Sequence, residues 1–250
     1  MSGHSKWSKI KRKKGALDAK RSKMFSGIVK EIIIAVKEGG SADPEANSRL
    51  RLAITNAKGV NMPKDNIDRA ISKADKDGAS LEEIIYEGYA PNGIALVIEC
   101  LTDNTNRSVS FVRSIFNKYN CTLGKTGSLS FMFESKGIFT IPITDKINMD
   151  EFELEIIDAG AQDFEVDDSV ITITTAKEDF GNMQKKLDSM GIQIQNASLQ
   201  KIPNETKPLA VDAALRVMKM IDAFDEVEDV QNVYHNLELT DEIAAAMEGQ

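Results

Sequence analysis

At Gly78 the spacing of the apolar residues changes, and that change limits the chain to helices first and mixed sheets afterwards. Before it, Leu17, Phe25, Ile28, Val29, Ile32 and Val36 fall in one sector at roughly 100° per residue, while Lys20, Lys23, Lys30 and Lys37 fall opposite. This spacing predicts a helix over 17–37 with one packed face and one face of cations. Gly39-Gly40 stops it, and Asp43-Pro44 supplies a cap and a first-turn proline for a second helix carrying Leu50, Ala53, Ile54 and Ala57. A third helix is expected from Pro63 through Ile67, Ala70, Ile71 and Ala74.

Beyond Gly78, runs at 83–89 and 94–101 flank Asn92-Gly93, the dipeptide suited to a two-residue hairpin because both positions need positive φ. The second run is apolar at nearly every position, which predicts a central strand covered on both faces. Val109, Val112, Phe116 and Tyr119 mark a helix, and 128–133 reads as a strand. Segments 137–142, 151–159, 163–166, 170–175, 179–190 and 193–201 then read β-α-β-β-α-β, the order of a ferredoxin-like domain. A helix over 211–224 and a strand over 230–235 follow. The first sheet lacks a closing helix and strand, so these late elements are expected to return to it and leave the β-α-β-β-α-β unit as an insertion.

The expected fold class is α+β: an N-terminal three-helix domain followed by two α/β domains with ferredoxin-like character, one inserted in the other. Residues 1–78 form the basic arm and helical domain, 79–134 with 205–240 a discontinuous α/β domain, 135–204 the insertion, and 241–250 a C-terminal tail. The length alone suggests about two domains or three small ones.

Charge is divided as sharply as periodicity. Residues 1–76 carry 18 Lys and Arg against 8 Asp and Glu, a net of +10, whereas residues 77–250 carry 13 against 31, a net of −18. Among the first 30 residues, ten cations face only Asp18. Solubility did not require those cations in a chain of net charge −8, so the split points to a polyanionic partner. Lys6, Lys9, Lys11, Arg12, Lys13, Lys14, Lys20, Arg21 and Lys23 are the candidate phosphate contacts. Trp7, the only tryptophan, either stacks on a base or anchors the arm to the helical domain. The segment 1–15 has no helical apolar stripe and is expected to be extended or mobile without its ligand.

Catalytic chemistry finds no support in the residues. Gly124-Lys125-Thr126 imitates the end of a phosphate-binding loop, but Tyr119 stands where the motif needs glycine, and the helix-to-strand order is reversed. His4 lies in the arm and His235 near an edge strand, neither placed as a general base. The acidic run Asp222, Asp225, Glu226, Glu228 and Asp229 lacks calcium-loop spacing and reads as solvated surface. Lys136-Gly137-Ile138-Phe139 resembles an RNA-recognition strand but offers one aromatic on the wrong strand. Cys100 and Cys121 sit in apolar strand-like surroundings and read as buried thiols. No enzyme, metal or cofactor is expected. The run from Ile28 to Val36 is interrupted by Lys30 and Glu31 and too short to span a membrane, and a cytoplasmic monomer is expected.

Gly3-His4-Ser5-Lys6-Trp7, the following IKRKKGALDAKRSKMF, Asn61-Met62-Pro63-Lys64-Asp65, Tyr86-Glu87-Gly88-Tyr89, Glu99-Cys100-Leu101-Thr102-Asp103-Asn104 and Val230-Gln231-Asn232-Val233-Tyr234 follow one another along almost the whole chain. In these stretches the chain closely resembles the YebC/PmpR family. It departs from the family at Thr105, where arginine is frequent nearby, and at Tyr119-Asn120-Cys121, where a glycine-rich segment is usual. The family also includes the mitochondrial translational activator of cytochrome c oxidase subunit I. The resemblance implies three domains, one inserted in another, and a regulator of gene expression. The leading expectation is a transcriptional regulator binding DNA through the basic arm and first helix. The alternative is a ribosome-associated factor that binds rRNA and relieves stalled translation. Cationic arms suit both, and no recognition helix or dimer signature in the sequence points to palindromic DNA.

Overall fold

The structure is a computed structural model that describes residues 18–77, 81–144, 147–167 and 169–248. Helices α1 (Asp18–Gly39), α2 (Ser48–Gly59) and α3 (Lys64–Asp77) come first. The strands and helices that follow build two sheets, and the α+β class with one α/β domain inserted in the other holds. The chain packs as two compact units, one from 18–34, 81–134 and 202–248, the other from 35–77 and 135–201.

In the first unit, β1 (Glu82–Ala90), β2 (Ile94–Thr102) and β7 (Val230–His235) form an antiparallel sheet in the order β1-β2-β7. The late strand does return to the first sheet, its bounds as read from the sequence, and Val97 pairs with Tyr234. Helices α4 (Thr105–Lys118), α7 (Val211–Asp225) and α8 (Asp241–Glu248) cover one face. Ile94, Leu96, Ile98 and Cys100 meet Val112, Phe116, Val217, Ile221, Phe224, Ile243 and Met247 there. On the other face Ala95 and Val97 pack with Leu129, Phe133 and Tyr234, so β2 is buried on both sides as its apolar run demands.

Three local expectations are corrected here. The hairpin loop is three residues, Pro91–Gly93, because Ala90 pairs with Ile94; Asn92 (φ 63°) and Gly93 (φ 69°) still take the left-handed conformation that selects those residues. The proposed strand 128–133 is instead a turn and a short 3₁₀ segment, Ser130–Met132, and β3 begins at Phe133. The segment 241–250, read as a tail, contains α8, which buries Ile243 and Met247.

In the second unit, β3 (Phe133–Pro142), α5 (Met149–Asp158), β4 (Ala161–Val166), β5 (Val170–Ala176), α6 (Phe180–Ser189) and β6 (Asn196–Pro203) follow the ferredoxin-like order. Their sheet runs β4-β5-β3-β6, so the unit's first strand lies between its third and fourth. Phe139, Ile141, Phe152, Ile156, Ile171, Ile173, Met183 and Leu187 make its core. Helix α2 belongs to this unit: Asn56 Nδ2 donates to the Ala197 carbonyl (2.9 Å), its Oδ1 accepts from Ala197 N (2.8 Å), and Leu52 packs on the core. Asp43-Pro44 does not start α2. Asp43 instead closes a turn by accepting from Glu45 N (2.9 Å), and the cap is Asn47, whose Oδ1 accepts from Leu50 N (3.0 Å).

Candidate nucleic-acid interface

Of the candidate phosphate contacts, Lys6, Lys9, Lys11, Arg12, Lys13 and Lys14 lie outside the described residues, as does Trp7. Lys20 falls in the first turns of α1. Arg21 is exposed, with its guanidinium 5.4 Å from the Phe25 ring centroid one turn on. Lys23 is half-buried, and its Nζ donates to the Val227 carbonyl (2.9 Å). Arg21 thus faces solvent, while Lys23 reaches the turn between α7 and β7.

Two turns further along α1, Lys30 is similarly engaged, where the helical wheel placed it on an open cationic face. Its Nζ donates to the Leu101 carbonyl (3.2 Å), the Glu228 carbonyl (3.0 Å) and Asp229 Oδ1 (3.1 Å). Asp229 is the centre of this arrangement, with only 3% of its side chain exposed. Arg107 reaches both of its oxygens, Nη2 at 2.9 and 3.0 Å and Nε at 3.2 Å, and also pairs with Asp103 at 2.7 Å. The Thr102 hydroxyl lies 3.0 Å from Asp229 Oδ2. Burial pushes the Asp229 carboxyl up, but the hydrogen bonds from Lys30, Arg107 and Thr102 outweigh it and hold the group below its ordinary value. The acidic run read as solvated surface therefore includes one buried carboxylate that fastens α1 to the sheet.

The motifs that carry the family resemblance are largely the parts of this framework. In 99–104, Cys100 is in the core, with its thiol pushed up to about 11 by burial, Leu101 N donates to the Asp229 carbonyl (2.8 Å), and Asn104 caps α4 by accepting from Arg107 N (3.0 Å). In 230–234, Asn232 Nδ2 and the Tyr234 hydroxyl both donate to Glu99 (3.2 and 3.1 Å). Burial, then the neighbouring Glu99, raises the Tyr234 hydroxyl well above its ordinary range. In 61–65, Asn61 takes φ 56° and Met62 is buried, turning the chain from α2 into α3.

Residues 86–89 explain the glycine-rich turn as well. Gly88 lies so close to α4 that a Cβ would stand 2.7 Å from two Phe116 ring carbons and 3.0 Å from the Thr122 carbonyl. Glu87 is buried, and its carboxylate accepts from Gly127 N (2.9 Å) and Leu129 N (2.6 Å). Those amides of the loop resembling a phosphate cradle are thus occupied by the protein's own carboxylate. Phe139 of the segment resembling an RNA-recognition strand is fully buried and stacks on Phe180 (centroids 4.7 Å apart), so it offers no surface to a base. Among the described residues no group of three or more His, Cys, Asp or Glu side chains is arranged to hold a metal ion. No helix among them is long and apolar enough to cross a membrane.

The sequence placed Asp229 in a solvated acidic run and Glu87 in a motif of the family resemblance, without the role that either has in the fold. An acid between the strand residues Tyr86 and Gly88 was the one local signal for Glu87. The partners of Asp229, Lys30 and Arg107, lie 199 and 122 residues away in the chain, so its burial was not legible there.

Comparison with known proteins finds relatives over almost the whole chain. A protein from Amoebophilus asiaticus named "Probable transcriptional regulatory protein" is 48% identical over 95% of this chain and 98% of its own. Another of that name from Syntrophomonas wolfei is 45% identical over 99% of this chain and 100% of its own. The crystal structure of a conserved hypothetical protein from Aquifex aeolicus superposes with a TM-score of 0.80 at 39% identity, covering 90% of this chain and 93% of that one. Residues 5–77 match a family model described as the TACO1/YebC protein N-terminal domain, and residues 81–237 match one described as the TACO1/YebC second and third domain. The chain belongs to the TACO1/YebC family.

Proposed function

We propose that this protein is a non-enzymatic regulator of gene expression that binds nucleic acid through its basic N-terminal arm and the start of α1. The observation that carries this reading is the charge split, a net of +10 over residues 1–76 in a chain of net charge −8. The names of the relatives, probable transcriptional regulatory proteins, favour DNA as the target.

The helices after the arm carry little net charge, residues 31–76 holding 8 Lys and Arg against 7 Asp and Glu. Arg49 pairs with Glu38, and Arg51 donates to the carbonyls of Pro44 (3.1 Å) and Glu45 (3.3 Å). The exposed residues of α3 include Lys64, Arg69 and Lys73 balanced by Asp65, Asp68 and Asp75. A helix with that balance is poorly suited to lie along phosphates, which leaves the arm as the principal contact. Phosphate contacts position a protein without reading bases, so binding is expected to vary little with sequence.

The test is ultraviolet crosslinking of the full chain in cells, followed by identification of the bound nucleic acid, with ribosome co-sedimentation run in parallel. DNA crosslinked to peptides within residues 1–30, with no co-sedimentation, is the expected result. Recovery of rRNA in the ribosome fraction would replace the transcriptional reading with the translational one, and recovery of neither would defeat both.

A further inference from the structure

The most exposed large apolar side chain among the described residues is Phe131, with 73% of its surface in solvent. It does not sit on a loose loop. Ser128 N donates to the Lys125 carbonyl (3.1 Å), the Ser130 hydroxyl to the Gly127 carbonyl (3.0 Å) and Met132 N to the Leu129 carbonyl (2.9 Å), winding 125–132 into consecutive turns. The Glu87 carboxylate holds the middle of the loop through Gly127 N and Leu129 N, and Leu129 is fully buried beneath it. The Phe131 carbonyl accepts from Asn204 Nδ2 (2.9 Å), and the Met132 carbonyl accepts from Asn204 N (2.9 Å). A ring presented on a backbone fixed at so many points loses little conformational freedom when something packs on it.

The chemistry around the ring selects its partner. Between Cys121 and Phe133 there is one cation, Lys125, and no carboxylate, with exposed Glu134 and Glu205 just outside the loop, while the chain beyond residue 76 carries a net of −18. Lys125, Thr126, Ser128 and Ser130 are all exposed. An exposed aromatic ring on a short loop that also carries a cation and hydroxyl groups has the elements of a sequence-tolerant single-strand contact, in which a base stacks on the ring while its phosphate meets the charge. Glu87, the acid in the hydrogen-bonded network, is turned inward onto backbone amides.

We propose that the loop from Gly124 to Phe131 is a second nucleic-acid contact, in which Phe131 stacks on an unpaired base and Lys125 meets the adjacent phosphate. The inference rests on the nucleic-acid-binding reading above and adds single-strand capture to it. Duplex bases have no free face for the ring, so the loop would act on melted or looped segments while the arm holds the backbone.

The test is fluorescence anisotropy of the full-length protein with labelled oligo(dT) and oligo(U), against a duplex of equal length. Phe131→Ala is expected to weaken single-strand binding roughly 5- to 150-fold, the range of one lost base stack, with the salt slope and duplex affinity unchanged. Phe131→Trp should keep the affinity, and Lys125→Ala should reduce the single-strand salt slope by about 0.7. As a check that needs no variant, 5-iodouridine in the oligo(U) should crosslink to Phe131. Wild-type single-strand affinity in Phe131→Ala, or an equal loss on duplex, would overturn the assignment and leave the ring to a protein partner. If arm substitutions abolish binding while Phe131→Ala does not, only the loop contact falls. If the unaltered protein binds none of the three nucleic acids, the arm reading falls and takes the loop with it.

Discussion

Asp229 shows how a single side chain links the charge of the N-terminal helix to the sheet. Its two oxygens receive Lys30, Arg107 and Thr102, and Lys30 is itself only 15% exposed, so neutralising the carboxylate leaves a largely buried ammonium with the Leu101 and Glu228 carbonyls but without this counter-charge. Asp229→Asn is expected to cost about 3 kcal/mol at neutral pH, most of it through Lys30, because Arg107 keeps access to water and to Asp103. The pH dependence has a definite sign. A carboxyl held below its ordinary value of 3.8 stabilises the fold fully above the unfolded value, and that contribution is lost as pH falls through the lower folded value. Urea unfolding of the two proteins should therefore show a full gap at pH 7 and at pH 5 that narrows below about pH 4. A gap that stayed constant into acid would mean that Asp229 acts through its shape and not its charge. Gly88 makes a second residue-scale case. Gly88→Ala places a methyl against the Phe116 ring, which is buried and already packed on Phe224 with centroids 5.4 Å apart, so a loss of about 1–3 kcal/mol in thermal or urea unfolding is expected.

At the scale of elements, the readings that succeeded rest on patterns that packing reinforces. The run 94–101 is apolar at every position but Glu99 because both its faces are covered, and the strand at 230–235 sends Val230 and Val233 to one core and Tyr234 to the other across a shift in pairing at Glu99/Cys100. The failures come from signals that two structures share. Leu129, Phe131 and Phe133 alternate like a strand, yet Leu129 and Phe133 are buried while Phe131 projects outward, because a 3₁₀ turn between them supplies the spacing. Asp43-Pro44 resembles a helix start, but Asn47 has the stronger claim, since its Nδ2 also donates to the Ala35 and Ser41 carbonyls (2.7 and 2.9 Å) and so joins the end of α1 to α2. Helix α2 is in turn held by Asn56, whose amide completes both backbone hydrogen-bonding groups of Ala197 like a short extra strand. Asn56→Ala leaves that N–H and carbonyl without their partners and is expected to cost about 1–3 kcal/mol. Amide hydrogen exchange provides the local check, with Ala197 losing protection more than the centre of β5; equal change at both would show a global effect instead.

For the whole molecule, the sequence revealed the order of elements, the return of the last strand and the division of charge, all of which are properties of position along the chain. It did not reveal which charges the fold consumes. Lys23 and Lys30 have the wheel positions of phosphate contacts, yet their ammonium groups reach carbonyls and a carboxylate more than 70 residues away in sequence. The proposed phosphate contacts therefore do not include Lys23 and Lys30 and rest on the cations of the arm. Each phosphate neutralised on duplex DNA adds about 0.9 to the slope of log affinity against log salt, and about 0.7 on a single strand. Replacing Lys11, Arg12, Lys13 and Lys14 together with alanine is expected to flatten that slope by roughly 3 on either polymer if all four make contact. The loss of affinity should be nearly uniform across sequences, because phosphates carry no base identity. Thermal stability should hardly change, since these four residues have no apolar stripe around them to pack. Replacing Lys30 instead should reverse the pattern, lowering stability through Asp229 while leaving the salt slope close to its original value. A quadruple variant that kept both affinity and slope would separate the charge division from nucleic-acid binding, and one that lost affinity only for certain sequences would make those four side chains readers of base edges.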